Sequence, residues 1–156
     1  MTDKPQALSE TTVRWISDIG SKLDGWQWMG HFTFAEPLHP EQANKRFSRF
    51  VRAINRDIYG RRYGDHGQGI YWVRGQEDQR REAIHYHALL GGGVKALRRL
   101  TWMDKWYEMS DGICRIWPCD GRDQAIQYIT KYQLKGGEVD IFVPQSRIPE
   151  IHQTEG

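Results

Sequence analysis

In the stretch AIHYHALLGG, residues 83 to 92, two histidines flank one tyrosine. Residues two apart on a β-strand point to one face, roughly 6.5 Å from each other, so His85 and His87 can converge on one ion while Tyr86 turns away. The ordinary reading of such a pair is one packed imidazole and one surface imidazole; a third donor changes that. Glu77 stands eight residues before His85, and a hairpin turning near Gln79 to Arg81 returns it beside His85 or His87 across the ladder, with Glu82 as the alternative carboxylate. Two imidazoles and one carboxylate on an open sheet face suit Mg²⁺, Mn²⁺ or a borderline transition ion, with coordination positions left for a phosphate oxygen.

A second cluster lies in RDQAIQYITKYQLKGG. Tyr128, Lys131, Tyr132 and Lys135 share one stripe of a helix over 121–135, beside an apolar stripe of Ala125, Ile126 and Ile129. A phenol with a reference pKa of about 10 is almost wholly protonated at neutral pH. To act as a nucleophile it needs a base, a neighbouring cation, or an electrophile made more reactive by a metal. Lys131 supplies the charge in this reading, and the ion polarises the phosphate.

The elements that must position these groups are legible around them. Val13, Ile16 and Ile19 fall at helical spacing, which predicts a first helix near residues 9–23. WQWMGHFTF alternates like a strand that stops before Pro37. From Pro40 to Tyr59, Phe47, Phe50, Val51, Ile54 and Ile58 mark one side of a helix, and Lys45, Arg49, Arg52 and Arg56 gather on the other. GQGIYWVRGQE and EAIHYHALLGGG form a hairpin. A helix over 95–109 follows, with Leu97, Leu100, Trp102 and Trp106 available for packing; then come a short strand in GICRIWPC, the helix over 121–135 and a final strand in EVDIFV. This order predicts an α+β sandwich: an antiparallel sheet with helices largely on one face. One domain is expected over residues 1–156, with 144–156 as a flexible tail.

Composition narrows the class. No stretch approaches the roughly 18 to 20 apolar residues that span a bilayer, and the polar MTDKPQALSE lacks the apolar run of a signal peptide, so a soluble, cytoplasmic protein is expected. Cys114 and Cys119 lack the spacing of a zinc or redox motif and read as reduced bystanders. Net charge is only +2, but residues 41–81 carry ten Lys or Arg against five acids. Such a local excess is the footprint of a phosphate-backbone partner, and equally of a solvated face.

Taken together, HYH, the glutamate eight positions earlier and YITKYQLK resemble the HUH endonucleases, in particular the rolling-circle replication initiators of small phages and plasmids. HFTFAEP, residues 31–37, resembles that family's first motif, and the motifs occur in family order. The resemblance implies a ferredoxin-like, five-stranded antiparallel sheet flanked by helices. It also implies a divalent-metal-dependent nick in single-stranded DNA at an origin or hairpin. Glu77, His85 and His87 would be the metal ligands and Tyr128 the nucleophile, joined to the 5′ end while a 3′-hydroxyl is released. Lys131 would orient the phosphate, and Tyr132 matches the second tyrosine of two-tyrosine members. No nucleotide-binding Gly-x-x-x-x-Gly-Lys-Ser/Thr occurs in the chain, so no nucleotide cofactor is expected, and a host helicase and polymerase would act as partners. DNA contacts are expected from Lys45, Arg49, Arg52, Arg56, Arg61, Arg62, Thr33 and Lys135, with Trp26, Trp28 or Trp72 stacking a base. Three other readings stay open. One is the same chemistry serving transposition or conjugation, and another is a single-stranded nucleic-acid-binding module that cuts nothing. The third is a two-histidine phosphoesterase built on His31-Phe-Thr33 and His152-Gln-Thr154.

Overall fold

A computed structural model of the chain describes residues 10–77, 84–133 and 139–152. Five strands, β1 (Trp28–Phe32), β2 (Tyr71–Glu77), β3 (His85–Gly91), β4 (Cys114–Pro118) and β5 (Val139–Phe142), pair antiparallel in the order β4-β1-β3-β2-β5. α1 (Glu10–Lys22) precedes β1, the helices α2 (Pro40–Tyr59), α3 (Arg99–Ser110) and α4 (Arg122–Gln133) run between the strands, and α5 (Ile148–His152) follows β5. From β1 to β4 the connectivity is the split β-α-β-β-α-β arrangement, so the ferredoxin-like α+β expectation holds for this part.

Alternation along the strands sends side chains to two separate cores. Trp28 and Phe32 of β1, Tyr86, Ala88 and Leu90 of β3, and Cys114 and Ile116 of β4 pack against Phe47, Phe50 and Ile54 of α2 and Trp102 and Trp106 of α3. Edge-to-face aromatic contacts tie this layer together, among them Phe32 with Phe47, Phe50 and Trp106 at ring-centre distances of 5.6, 5.5 and 5.0 Å. Met29, Tyr71, Val73 and Leu89 face the other way, onto Ile16 and Ile19 of α1, Ala125 and Ile129 of α4, and Ile151 of α5. Helices therefore cover both faces, not largely one. The expectation of a single covered face fails because Tyr71, Val73 and Leu89 are apolar on the second face as well, and a second layer is needed to bury them.

Local signals set several boundaries. Pro40 opens α2, where its missing N–H costs nothing, and His39 Nδ1 accepts from the Glu41 N–H at 3.2 Å. α3 begins at Arg99 rather than Lys95 because Val94–Ala96 forms a separate 3₁₀ turn, and Leu100, expected to pack, is 60% exposed. Cys114 and Cys119 are buried free thiols whose pKa values burial pushes up, in keeping with bystander roles. Of the segment expected as a tail, Gln145–Arg147 and Ile148–His152 are helical, Ile151 is buried, and its carbonyl accepts from Lys22 Nζ at 2.8 Å. Among the described residues no helix is long and apolar enough to cross a membrane.

Candidate active site

Register brings the predicted donors together. Glu77 is the direct cross-strand partner of His85, and His87 is the partner of Gly75 on β2 and of His31 on β1. The turn expected near Gln79 to Arg81 lies outside the described residues. The side chains of Glu77, His85, His87 and His31 lie on the face covered by α1 and α4. Glu77 and His87 are 5% and 2% exposed, and His85 is half-buried.

Oε2 of Glu77 lies 2.8 Å from Nε2 of His87. A carboxylate only accepts, so the imidazole donates from Nε2, and the Nδ1 of a neutral ring is left as a lone pair. That nitrogen faces the Tyr128 hydroxyl at 3.4 Å. The hydroxyl donates to the Gly30 carbonyl at 2.7 Å. Ala125 and Ile129 anchor α4 on the sheet, and Tyr128, packed on the flank of that apolar stripe, reaches the histidines.

His31 completes the cluster. Its ring stacks on His87 at 4.5 Å with 7° between planes and meets His85 edge-on at 5.3 Å. In the sequence His31 opens the HFTFAEP motif and figures in the phosphoesterase alternative, but neither reading places it beside the metal-ligand candidates. Its place beside His87 depends on β1–β3 pairing, for which no local sequence signal exists. Burial, and secondarily the neighbouring imidazoles, lowers the His87 pKa to about 4 against the bond from Glu77, so the ring is neutral at pH 7.

These numbers decide between two uses of His87. As a simple base it is weak, because burial holds its pKa far below that of an ordinary phenol. As a donor to a cation it already has the required neutral form. A nitrogen and a carboxylate oxygen 2.8 Å apart match the spacing of neighbouring ligands around an ion with bonds of about 2.1 Å. Among the described residues no three such side chains are gathered tightly enough to hold an ion as they stand. Binding would exchange the Glu77–His87 hydrogen bond for two bonds to the ion, with His85 and His31 as the adjacent imidazoles. In donor chemistry, two imidazoles beside a carboxylate suit a divalent cation.

Lys131 is exposed on α4, one turn beyond Tyr128. Tyr132 belongs to α4, but its side chain, like Lys135 and Glu82, lies outside the described residues. Thr33 is occupied structurally: its hydroxyl donates to the Ile113 carbonyl and accepts from the Ile113 N–H, each at 2.8 Å. Lys45, Arg49, Arg52 and Arg56 are exposed on the outer side of α2, with the sheet between them and Tyr128. Arg61 and Arg62 are exposed just beyond α2, and Arg62 pairs with Asp65 at 3.0 Å. Trp26 and Trp28, considered above as stacking platforms, are buried because each is needed in a core, and Trp72 is half-buried against Phe47 and Phe142.

The family model described as replication-associated protein ORF2 matches residues 27–137, from the approach to β1 to just beyond α4. The chain belongs to this family. Within this replication-associated protein the matched region contains Glu77, His85, His87, Tyr128 and His31, while α1, β5 and α5 lie outside it. Comparison with curated proteins and with solved structures finds no match. The second histidine motif of the phosphoesterase reading continues past His152 into residues outside those described.

Proposed function

We propose that this replication-associated protein nicks and rejoins single-stranded DNA, in the manner of the HUH endonucleases its motifs resemble, and so initiates rolling-circle replication. The observation that supports the reading is the meeting of Tyr128, His87 and Glu77 from α4, β3 and β2, with 3.4 Å from phenol to imidazole and 2.8 Å from imidazole to carboxylate. A packing tyrosine has no need of a buried ionisable pair beneath its hydroxyl.

In the proposed step the Tyr128 oxygen attacks the scissile phosphorus and the bond to the 3′ oxygen breaks. The phenol gives up its proton, and the departing 3′ oxygen takes one up. One ester replaces another, so attack by a 3′-hydroxyl on the 5′-phosphotyrosine reverses the reaction and joins strands. Glu77, His85 and His87 would hold Mg²⁺ or Mn²⁺, which when bound draws electron density from the phosphate. The Gly30 carbonyl fixes the direction of the phenol before attack. Lys131 would offset phosphate charge, and Tyr132 would supply the second nucleophile. In the cytoplasm a host helicase would unwind the duplex while a polymerase extends the released 3′ end.

The test is a labelled single-stranded oligonucleotide from the replicon, incubated with Mn²⁺ and run on a denaturing gel. A covalent protein–DNA band is expected, and Tyr128→Phe should remove it while single-strand binding persists. An undiminished band in that variant would remove Tyr128 from the role of nucleophile, and no band with the wild-type chain would refute nicking.

A further inference from the structure

Beside Tyr128 the sheet carries residues that no motif singles out. β4 is an edge strand, and its alternation sends Cys114 and Ile116 into the α2/α3 core while Arg115 and Trp117 emerge, exposed, on the opposite face. Arg115 is the cross-strand partner of His31, and Trp117 is the partner of Met29. Arg115, His31 and His87 therefore form one row across three adjoining strands, with Trp117 in the next row. The Trp117 ring meets Tyr128 edge-on at 6.4 Å, with 62° between planes.

Trp117 stands apart from the core tryptophans. It is 40% exposed, whereas Trp28, Trp102 and Trp106 are at 2% or less. Leaving a large indole in water at a sheet edge gains the fold little. A flat apolar face beside the phenol and a guanidinium beside the imidazoles match the two needs of an unpaired DNA strand: a surface for a base to stack on, and a cation for its phosphate.

We propose that β4 is the docking strand for single-stranded DNA next to the scissile phosphate, with Trp117 stacking one base and Arg115 pairing with a neighbouring phosphate. The proposal rests on the nicking reading for the word scissile, but its binding content stands independently. Trp117 and Arg115 are docking residues: they set affinity and the register in which the strand meets Tyr128, and they take no part in bond exchange.

The test measures fluorescence anisotropy of labelled (dT)₂₀ with the full chain in EDTA, where no cleavage occurs, alongside adduct yield with Mn²⁺ on a denaturing gel. Trp117→Ala should weaken (dT)₂₀ binding about tenfold, and Trp117→Phe should restore most of it. Arg115→Ala should lower the slope of log affinity against log salt by about 0.7, and Arg115→Lys should keep it. Quenching of tryptophan emission on binding should shrink in Trp117→Phe, a readout that a purely structural role would not move. Unchanged affinity and salt slope in both alanine variants would overturn the proposal whatever the adduct yield, as would failure of the wild-type chain to bind. Loss of (dT)₂₀ affinity in these variants alongside absence of any wild-type adduct would keep the docking strand and sink the nicking reading.

Discussion

A carboxylate and an imidazole buried together each surrender hydration, and each recovers part of it through the other. Glu77 and His87 are in that position, at 5% and 2% exposure and 2.8 Å apart. Glu77→Ala leaves the His87 N–H without its acceptor, and a stability loss of about 1–3 kcal/mol in urea unfolding is expected. Glu77→Gln keeps an acceptor oxygen while removing the charge. It should unfold close to the wild-type midpoint yet bind Mn²⁺ at least tenfold more weakly by calorimetry. Equal loss of stability in the two variants would mean that the carboxylate's charge, rather than the hydrogen bond, holds the pair in place.

At the scale of elements, β4 is held in register by a side chain as well as by its backbone. The Thr33 hydroxyl both donates to and accepts from the Ile113 backbone, and the Thr33 N–H donates to the Ile113 carbonyl at 2.9 Å, just past the end of β1. Gly112 is required alongside, since a Cβ there would lie 1.9 Å from the Thr33 carbonyl oxygen. Thr33→Val preserves shape and removes both hydroxyl bonds. An expected cost of about 1–3 kcal/mol should appear in the urea midpoint, and β4 amides should exchange faster by hydrogen exchange. Elements with a strong local period were legible in the sequence: α2 at Pro40–Tyr59, the hairpin of β2 and β3, and α4 with its apolar stripe. Glu77, His85 and His87 were legible for the same reason, since one hairpin joins all three. The placing of His31, Arg115 and Trp117 was not. They reach the site through β1–β3 and β1–β4 pairing between segments distant in sequence, and neither pairing leaves a periodic trace. The start of α3 was misplaced because the Leu97 and Leu100 spacing imitates helix across a 3₁₀ turn.

Across the whole molecule, the sheet separates two kinds of surface. The cations of α2 lie behind one core, and the Glu77–His87–Tyr128 cluster lies in the margin of the other. The second layer also holds a titratable group. Burial, followed by the charge of Asp24, raises the pKa of Tyr71, whose hydroxyl donates to the Gly25 carbonyl at 2.8 Å. An unfolded tyrosine loses its proton near pH 10, while the folded one retains it to higher pH. The unfolded state is then the one that releases the proton, so this contribution is intact below pH 10 and declines as pH rises further. Thermal unfolding followed by circular dichroism from pH 8 to 11 should show a falling midpoint above pH 10, and Tyr71→Phe should flatten that decline.

The position of β4 on the rim carries a topological consequence. A polymer laid against the rim approaches sideways and needs no free end to thread through an enclosure. Covalently closed circles should therefore be as good a substrate as linear oligonucleotides of the same sequence, with equal adduct yields on both; a marked preference for linear ends would mean that the strand enters by another route.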